Sequence, residues 1–243
     1  MFNIRIADIG VTINNKYDYV QKICKDYIVD NSITSDMSVE VSDELIDEEL
    51  AAASGDISRA YAESICIYRD ICQRLPVEFN AYLFHSAVIE FEGNGYAFSA
   101  KSGTGKSTHI ALWRKHFGPG VHIINGDKPI LRFIDGELYA FGTPWCGKEG
   151  WQSNSSVKLK ALCFIERDLK NSIRQISVSD AIVKIFHQIL MPEDIATVDA
   201  LIPLLDRTLR TVPCYVLSCN ISSEAAQIAY DEMSSGNTVK VIE

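Results

Sequence analysis

The spacing of apolar and polar residues predicts an α/β chain whose character changes near residue 78. The first part reads as a mixed segment, with strands at residues 2–6 and 38–41 and a helix at 43–53. Ser42 is placed to cap that helix, and the acidic residues of its first turn suit a helix N-terminus. From Ile57 to Leu75, apolar residues recur at helical spacing, which predicts an amphipathic helix ending before Pro76.

From residue 79 onward, short β-type runs alternate with helical spacing. A β-rich run at 81–91, a turn at Gly93–Gly95 and a second run at 96–100 predict a hairpin. Further strands are predicted at 121–125, 129–134, 137–141, 159–165, 214–218 and 239–242, and helices at 107–116, 180–190, 193–210 and 223–233. A break or kink is expected at Pro203. We therefore predict two parts: a small α/β N-terminal region, residues 1–78, and a mixed-sheet α/β domain, residues 79–243.

Composition and charge narrow the classes of function. The 243 residues are 47% hydrophobic and 23% charged, as in globular proteins, and no apolar run approaches the roughly 18 residues that span a bilayer. The N-terminus lacks a signal-peptide layout. The net charge of −9 arises in residues 27–58, which hold nine carboxylates and no Lys or Arg. That segment is either a solvated helix face with its loops or a docking surface for a basic partner.

Two further observations concern partners and compartment. Lys and Arg are scattered, so the basic stripe needed to bind nucleic acid is missing from the sequence. The seven cysteines include no C-x-x-C pair, which argues against a zinc knuckle or a redox dithiol. We expect a cytoplasmic protein with reduced thiols and with neither a membrane nor a nucleic-acid partner.

The strongest chemical signal is a phosphate-binding loop at residues 100–107, Ala-Lys-Ser-Gly-Thr-Gly-Lys-Ser. Glycines let backbone N–H groups surround phosphate oxygens, and the following helix N-terminus favours an anion. Lys106 is expected to reach the β- and γ-phosphates and the Ser107 hydroxyl to ligate Mg²⁺. The predicted nucleotide-binding residues are Ser102, Gly103, Thr104, Gly105, Lys106, Ser107 and Thr108.

Three other positions are candidates for the chemistry. Asp127 follows an apolar run and is either a turn residue or a carboxylate that holds Mg²⁺ or accepts a proton from an attacking hydroxyl. His85 lies in the predicted strand before the loop; the other four histidines show no clustering and are interpreted as structural. The segment 142–151 is either a structured surface loop with buried Trp side chains or a segment that closes over a ligand. In the second case, Lys148 would contact phosphate or substrate and Glu149 a metal.

Residues 84–145 resemble the kinase domain of the HPr kinase/phosphorylase family, which shares its nucleotide-binding fold with ATP-dependent phosphoenolpyruvate carboxykinases. The cues are Phe-His-Ser-Ala-Val at 84–88, Tyr-Ala-Phe-Ser-Ala running into the loop, and Asn-Gly-Asp at 125–127. The resemblance implies an active site of His85, Lys106, Ser107 and Asp127, ATP and Mg²⁺ as cofactors, and a possible homo-oligomer. Gly126 stands where the family has the first of two acidic residues, and the family's later signature is absent.

These observations lead to one function hypothesis and an alternative. The chain is similar to divergent relatives that phosphorylate a serine on some other peptide, protein or small molecule. We expect an enzyme, an ATP- or NTP-dependent phosphotransferase that acts on an alcohol with Asp127, Lys106 and His85 as catalytic residues. Ser107, Asp127 and Glu149 are the expected metal ligands. The alternative is a nucleotide-binding regulatory or assembly module without catalysis, which Gly126 favours.

Overall fold

A computed structural model describes residues 1–30, 34–101 and 103–236 and contains two β-sheets flanked by helices. The smaller sheet has the strand order β3-β1-β2-β4. Its strands are β1 (Phe2–Ile6), β2 (Ile9–Asn14), β3 (Ile28–Val29) and β4 (Met37–Glu40). β1 pairs antiparallel with β2 and β3, whereas β2 and β4 are parallel. Alternate residues of β1 are buried, as period-2 patterning requires.

Three helices belong to this first part of the chain: α1 (Asp18–Ile23), α2 (Asp43–Ala52) and α3 (Arg59–Phe79). As predicted, Ser42 caps α2, since its hydroxyl accepts a hydrogen bond from the N–H of Leu45 at 3.3 Å. The prediction that the next helix ends before Pro76 was wrong. α3 continues to Phe79 with Pro76 buried inside it, and Asn80 ends it in a left-handed conformation. Burial of Leu75 and Pro76 offsets the single hydrogen bond that the proline removes.

Within the described residues, the larger sheet has nine strands. They are β5 (Ala81–Leu83), β6 (Ala87–Phe91), β7 (Asn94–Ser99), β8 (His122–Asn125), β9 (Ile130–Ile134), β10 (Glu137–Phe141), β11 (Ser156–Arg167), β12 (Ser172–Gln175) and β13 (Cys214–Cys219). The main path runs β5-β9-β10-β11-β7-β6-β8, and β13 joins β11 on one side and β12 on the other. β11 is parallel to both β7 and β13 and antiparallel to β10, so the sheet is mixed. This confirms the predicted α/β mixed-sheet fold.

The β-rich run at 81–91 is interrupted, which the sequence pattern did not indicate. β5 pairs with β9, whereas β6 pairs with β7 and β8, so the chain moves between two distant positions in the sheet. His85 consequently lies in the connection between the two strands and not inside a strand as predicted. The break places a polar side chain where two strands diverge.

Helices cover both faces of the larger sheet: α4 (Lys106–Phe117), α5 (Val178–Phe186), α6 (Ile195–Thr211) and α7 (Glu224–Ser235). α5 and α6 pack in one apolar cluster and α4 and α7 in another. α5 and α6 are shorter than predicted, and Pro203 lies within α6 without dividing it. The neighbouring leucines 201, 204 and 205 are buried and hold the helix against the sheet. The predicted strand at 239–242 lies outside the described residues.

The first part of the chain packs directly on the second. A single apolar cluster joins residues of β1, β2, β4 and α3 to Leu83, Ile130, Phe141 and Trp145 of the larger sheet and its loops. Most of the acidic residues of α2 are exposed, which agrees with a solvated face. The division at residue 78 stays a prediction. Among the described residues, the helices all fall short of the length and apolarity needed to cross a membrane.

Candidate functional site

The phosphate-binding sequence forms a strand–loop–helix unit. β7 leads into the loop and α4 begins at Lys106, as the motif requires. Gly103 and Gly105 have positive φ angles of 76° and 123°, which a residue with a Cβ rarely adopts. These glycines therefore determine the course of the loop around the start of α4, where free N–H groups favour an anion. Ser102, predicted as a nucleotide contact, lies outside the described residues.

Asp127 leaves the end of β8 close to this loop. The side-chain oxygen of the buried Asn125 accepts hydrogen bonds from the N–H groups of Asp127 at 2.8 Å and Lys128 at 2.7 Å. Asn125 donates in turn to the carbonyl of Thr143 at 3.0 Å. This local turn, closed by an Asn side chain, fixes the backbone of Asp127 and so the direction of its carboxylate.

Two side chains meet one oxygen of the Asp127 carboxylate. Nζ of Lys106 lies 2.9 Å from Oδ1, and Nε2 of His85 lies 3.0 Å from the same atom. Nζ of Lys128 lies 3.4 Å from Oδ2. Because an ionised carboxylate only accepts hydrogen bonds, Nε2 of His85 carries the proton in this contact. Three of the predicted catalytic residues, His85, Lys106 and Asp127, are thus in direct contact.

The charges of this cluster set its protonation states. Burial opposes ionisation of Asp127, but the hydrogen bond from His85 and the charges of Lys106 and Lys128 outweigh it and hold the pKa of the carboxyl well below its usual range. Burial lowers the pKa of Lys106, and the neighbouring Asp127 offsets part of that lowering. Asp127 is therefore ionised at neutral pH.

Gln188 supports His85 from the other side. The backbone N–H of His85 donates to the Gln188 carbonyl at 2.7 Å. Oε1 of Gln188 lies 3.2 Å from Nδ1 of His85 and, because an amide oxygen only accepts, this contact is a hydrogen bond when Nδ1 carries a proton in addition to Nε2. These contacts orient the imidazole toward Asp127. Gln188 lies 103 residues from His85 in the sequence and directly after α5, and its role was missed because nothing in the local pattern marks it.

The cluster opens into a cavity of about 460 Å³. It is lined by His85, Ala100, Lys101, Gly103, Gly105, Lys106, Ser107, Thr108, Asp127, Gly147, Lys148 and Glu149. Nearly all the predicted site residues are therefore brought to one cavity, with Thr104 just outside it. Three lysines face two carboxylates there, a balance that suits a polyanion. Lys148 and Glu149 line the cavity together with residues of the phosphate-binding loop.

The segment 142–151 is both packed and part of the cavity wall. Trp145 is buried against Tyr68 at a ring-centroid distance of 5.3 Å, and its Nε1 donates to the Ser64 hydroxyl at 3.0 Å. Tyr27 of the N-terminal part donates to Oε1 of Gln152 at 2.6 Å. Burial, and next the nearby Asp127, raise the pKa of the Cys146 thiol, so this cysteine is not an activated nucleophile.

The backbone around Gly126 leaves little space for a side chain. A Cβ at this position would lie 3.1 Å from the Cys146 carbonyl oxygen and 3.3 Å from that of Trp151. The Gly126 N–H donates to the Trp151 carbonyl at 2.8 Å. The segment 142–151 therefore occupies the space that a side chain at residue 126 would need.

The short distance between Gly147 and Asp127 provides a test of how closely the segment 142–151 packs against the Asp127 side chain. A Cβ on Gly147, at φ +77°, would lie 3.1 Å from Cβ of Asp127, whereas Gly150 has φ +67° and open space around it. Both Gly→Ala variants meet the same backbone strain, about 1 kcal/mol. We expect Gly147→Ala, and not Gly150→Ala, to displace Asp127 and reduce turnover about tenfold, measured alongside the free energy of unfolding. Equal effects of the two variants on turnover would contradict this contact.

Arg167 is a second residue that the sequence did not single out. It ends β11, and its guanidinium donates to the carbonyl oxygens of Gly103 and of Thr104, the latter at 2.9 Å. β11 is the parallel neighbour of β7, so an arginine at its end lies directly beside the loop. Arg167 thus holds the loop carbonyls outward, leaving the N–H groups for an anion.

The donor atoms around the cavity limit the kind of metal site that it can form. No group of three or more His, Cys, Asp or Glu side chains suited to hold a metal occurs within residues 1–30, 34–101 and 103–236. Ser107, Asp127 and Glu149 nevertheless line one cavity. Mg²⁺ at nucleotide sites takes only one or two protein oxygens and completes its shell with phosphate and water. The residues present fit such an ion and do not fit a metal caged by protein ligands.

Comparisons with known proteins give only low similarity to solved structures. No family model matches the chain, and no curated protein matches it in sequence. Among solved structures, the HPr(Ser) kinase/phosphatase from Coxiella burnetii matches with a TM-score of 0.37 and 10% identity, over 63% of this chain and 97% of that one. A likeness this low leaves the function to be argued from the site itself.

Proposed function

We propose that this protein is a phosphotransferase that moves the γ-phosphate of ATP, or of another nucleoside triphosphate, to an alcohol. One observation carries the proposal: His85 and Lys106 meet the same oxygen of Asp127 in a cavity lined by the phosphate-binding loop. This arrangement places the phosphate-binding loop next to an oriented, ionised carboxylate. Such a pair is what phosphate transfer to a hydroxyl needs, since the reaction depends mainly on positioning and charge neutralisation.

Each residue has a distinct role in this proposal. Lys106 and the loop N–H groups bind the β- and γ-phosphates, and Ser107 and Asp127, with Glu149 of the same cavity, would hold Mg²⁺. When bound, the ion neutralises charge on the phosphate oxygens. Asp127 accepts a hydrogen bond from the attacking hydroxyl and orients it. His85 already carries a proton on Nε2, so it positions Asp127 and does not act as the base.

The proposed reaction transfers one phosphoryl group to the acceptor and one proton away from it. The acceptor oxygen bonds to the γ-phosphorus while the bond from that phosphorus to the β,γ-bridging oxygen breaks. The nucleoside diphosphate leaves, and the hydroxyl proton passes to Asp127 and then to solvent. Asp127 is a weak base while its pKa is depressed, so the proton moves late, after most of the new bond has formed.

A second candidate is a nucleotide-binding regulatory module that has lost catalysis. The tight packing around Gly126 favours it, because a side chain at this position, such as a second carboxylate beside Asp127, would need its neighbours to shift. It predicts nucleotide binding without turnover, whatever acceptor is offered.

The two candidates are separated by measuring product, not binding. The full chain is incubated with γ-labelled ATP, Mg²⁺ and pools of serine-containing peptides, free serine and small polyols, and label is followed into the acceptor and into free phosphate. Acceptor-dependent labelling supports the phosphotransferase. Tight nucleotide binding with no label in any acceptor, and no release of phosphate, supports the regulatory module.

A further inference from the structure

A second cavity, of about 260 Å³, lies beside the start of α4. Its walls include Thr104, Gly105, Thr108, Leu112, Asp168 and Ile221. Gly105 and Thr108 also line the cavity that holds Asp127. The two cavities therefore meet at the first turn of α4, so that one ligand could extend from one into the other.

The positions of Asp127 and His85 indicate which end of such a ligand lies in which cavity. Asp127 and His85 line the first cavity, and neither lines the second. A third cavity, of about 530 Å³, is lined by Gln188, the partner of His85, and shares Lys101 with the first cavity, but Thr108 is not among its walls. A triphosphate with its γ-phosphate at Asp127 consequently leaves the loop past Thr108, toward the second cavity.

The walls of the second cavity are ordered by hydrogen bonds. The N–H of Asp168, just after β11, donates to the carbonyl of Cys219 at the end of β13, at 3.0 Å. The N–H of Asn220 donates to Oδ1 of Asn171 at 3.0 Å. The two loops thus form one unit, which presents the side chain of Ile221 outward with 81% of its surface exposed. An exposed apolar side chain beside the half-buried Leu112 provides a surface for a flat ring.

His109 supplies an independent observation. It lines the cavity, is 2% exposed, and its Nε2 accepts a hydrogen bond from the indole N–H of Trp113 at 2.9 Å. Because an indole only donates, the imidazole proton is on Nδ1. That atom is one of three buried side-chain polar atoms without a partner in the described part of the chain. A buried donor without an acceptor is costly, and a ligand with acceptor nitrogens or oxygens would satisfy it.

We propose that this second cavity is the nucleoside subsite and that it takes a purine. Leu112 and Ile221 contact the faces of the base, the Asp168 carboxylate accepts from its exocyclic amino group, and the Nδ1–H of His109 serves an acceptor on the nucleoside. The inference rests on the proposed function, since it needs a triphosphate in the phosphate-binding loop. It adds the part of the ligand that the loop itself does not recognise.

The experiment separates nucleoside from phosphate recognition. Inorganic tripolyphosphate, ATP, GTP and CTP are titrated into the full chain with Mg²⁺ by calorimetry. We expect ATP or GTP to bind at least about tenfold more tightly than tripolyphosphate or CTP. Ile221→Ser should weaken binding of the preferred purine nucleotide about fivefold and leave tripolyphosphate unchanged. The matched control is Leu169→Ser, because Leu169 is 91% exposed in the neighbouring loop but does not line the cavity.

Each outcome has a distinct meaning. Equal affinities for ATP, GTP, CTP and tripolyphosphate, or equal effects of Ile221→Ser on all four, would overturn the nucleoside subsite and leave the phosphotransferase intact. An effect of Leu169→Ser as large as that of Ile221→Ser would also overturn the assignment. Failure of every one of these ligands to bind would overturn the proposed function and the subsite with it.

Discussion

Asp127→Asn lowers the rate of phosphate transfer by about a thousandfold while nucleotide binding persists. We expect this because the variant keeps the shape of the side chain but removes the charge that orients and finally deprotonates the acceptor. Binding is retained since the phosphates are held by the loop and Lys106, which loses a competing counter-ion in the variant. Initial rates with the acceptor identified in the labelling screen, and calorimetry with the nucleotide, measure the two quantities separately.

The control for this variant is Asp199→Asn, at an exposed position on α6, which should change neither quantity. The free energy of unfolding provides a further measurement, and the direction of its change with pH is predicted. The pKa of Asp127 is depressed in the folded chain, so its ionisation stabilises the fold above the ordinary carboxyl range, and that contribution is lost as the pH falls below about 4. The unfolding free energy of the wild type should therefore fall more steeply with acid than that of Asp127→Asn. Full transfer activity in Asp127→Asn would remove this residue from the mechanism.

Lys106→Ala has the second large effect, on nucleotide affinity. Lys106 is 11% exposed in its side chain and lies at the start of α4, so its ammonium group acts on the phosphates with little screening by water. We expect the affinity for ATP or GTP in the presence of Mg²⁺ to fall about a hundredfold. Isothermal titration with both nucleotides, with and without Mg²⁺, measures it.

The control here is Lys115→Ala, which removes an exposed lysine from the same helix and should leave affinity unchanged. Removing Lys106 also leaves Asp127 with only His85 and Lys128 as partners, so some loss of stability is expected. Affinity is therefore compared at a temperature where both variants are folded. Unchanged nucleotide binding in Lys106→Ala would mean that the loop does not bind phosphate in the way proposed.

The phosphate-binding loop and its helix were predictable from the sequence because the residues that determine them are consecutive. The loop at 100–107 and the helix after it follow from glycine positions and apolar spacing, and Asp127 follows from its place after a buried strand. The contacts of His85 depended on a break in the strand at residues 84–86, which no change in hydrophobicity marks. Strand pairing decides that break, since β5 and β6 have different neighbours.

The parts that were missed come from distant segments. Gln188 and Arg167 reach the site from the ends of α5 and β11, and a single sequence contains no signal that pairs them with His85 or Gly103. The strands β2, β3 and β12 and the helix α1 were missed for a related reason. Their stability comes from packing and pairing with other elements, more than from their own propensity. Pro76 shows the same effect, because burial kept it within a helix that local rules would have ended.

The ion pair between Lys106 and Asp127 imposes an order of addition on the proposed reaction. Before nucleotide arrives, the carboxylate is a counter-ion and has little capacity left to receive a hydroxyl. Once the phosphates draw Lys106 away, Oδ1 of Asp127 is released to receive the acceptor hydroxyl at the moment when a phosphoryl group is present to be attacked. The expected kinetics are therefore sequential, with nucleotide first and acceptor second. An acceptor analogue alone should bind weakly, and wasteful cleavage of the nucleotide by water should be slow.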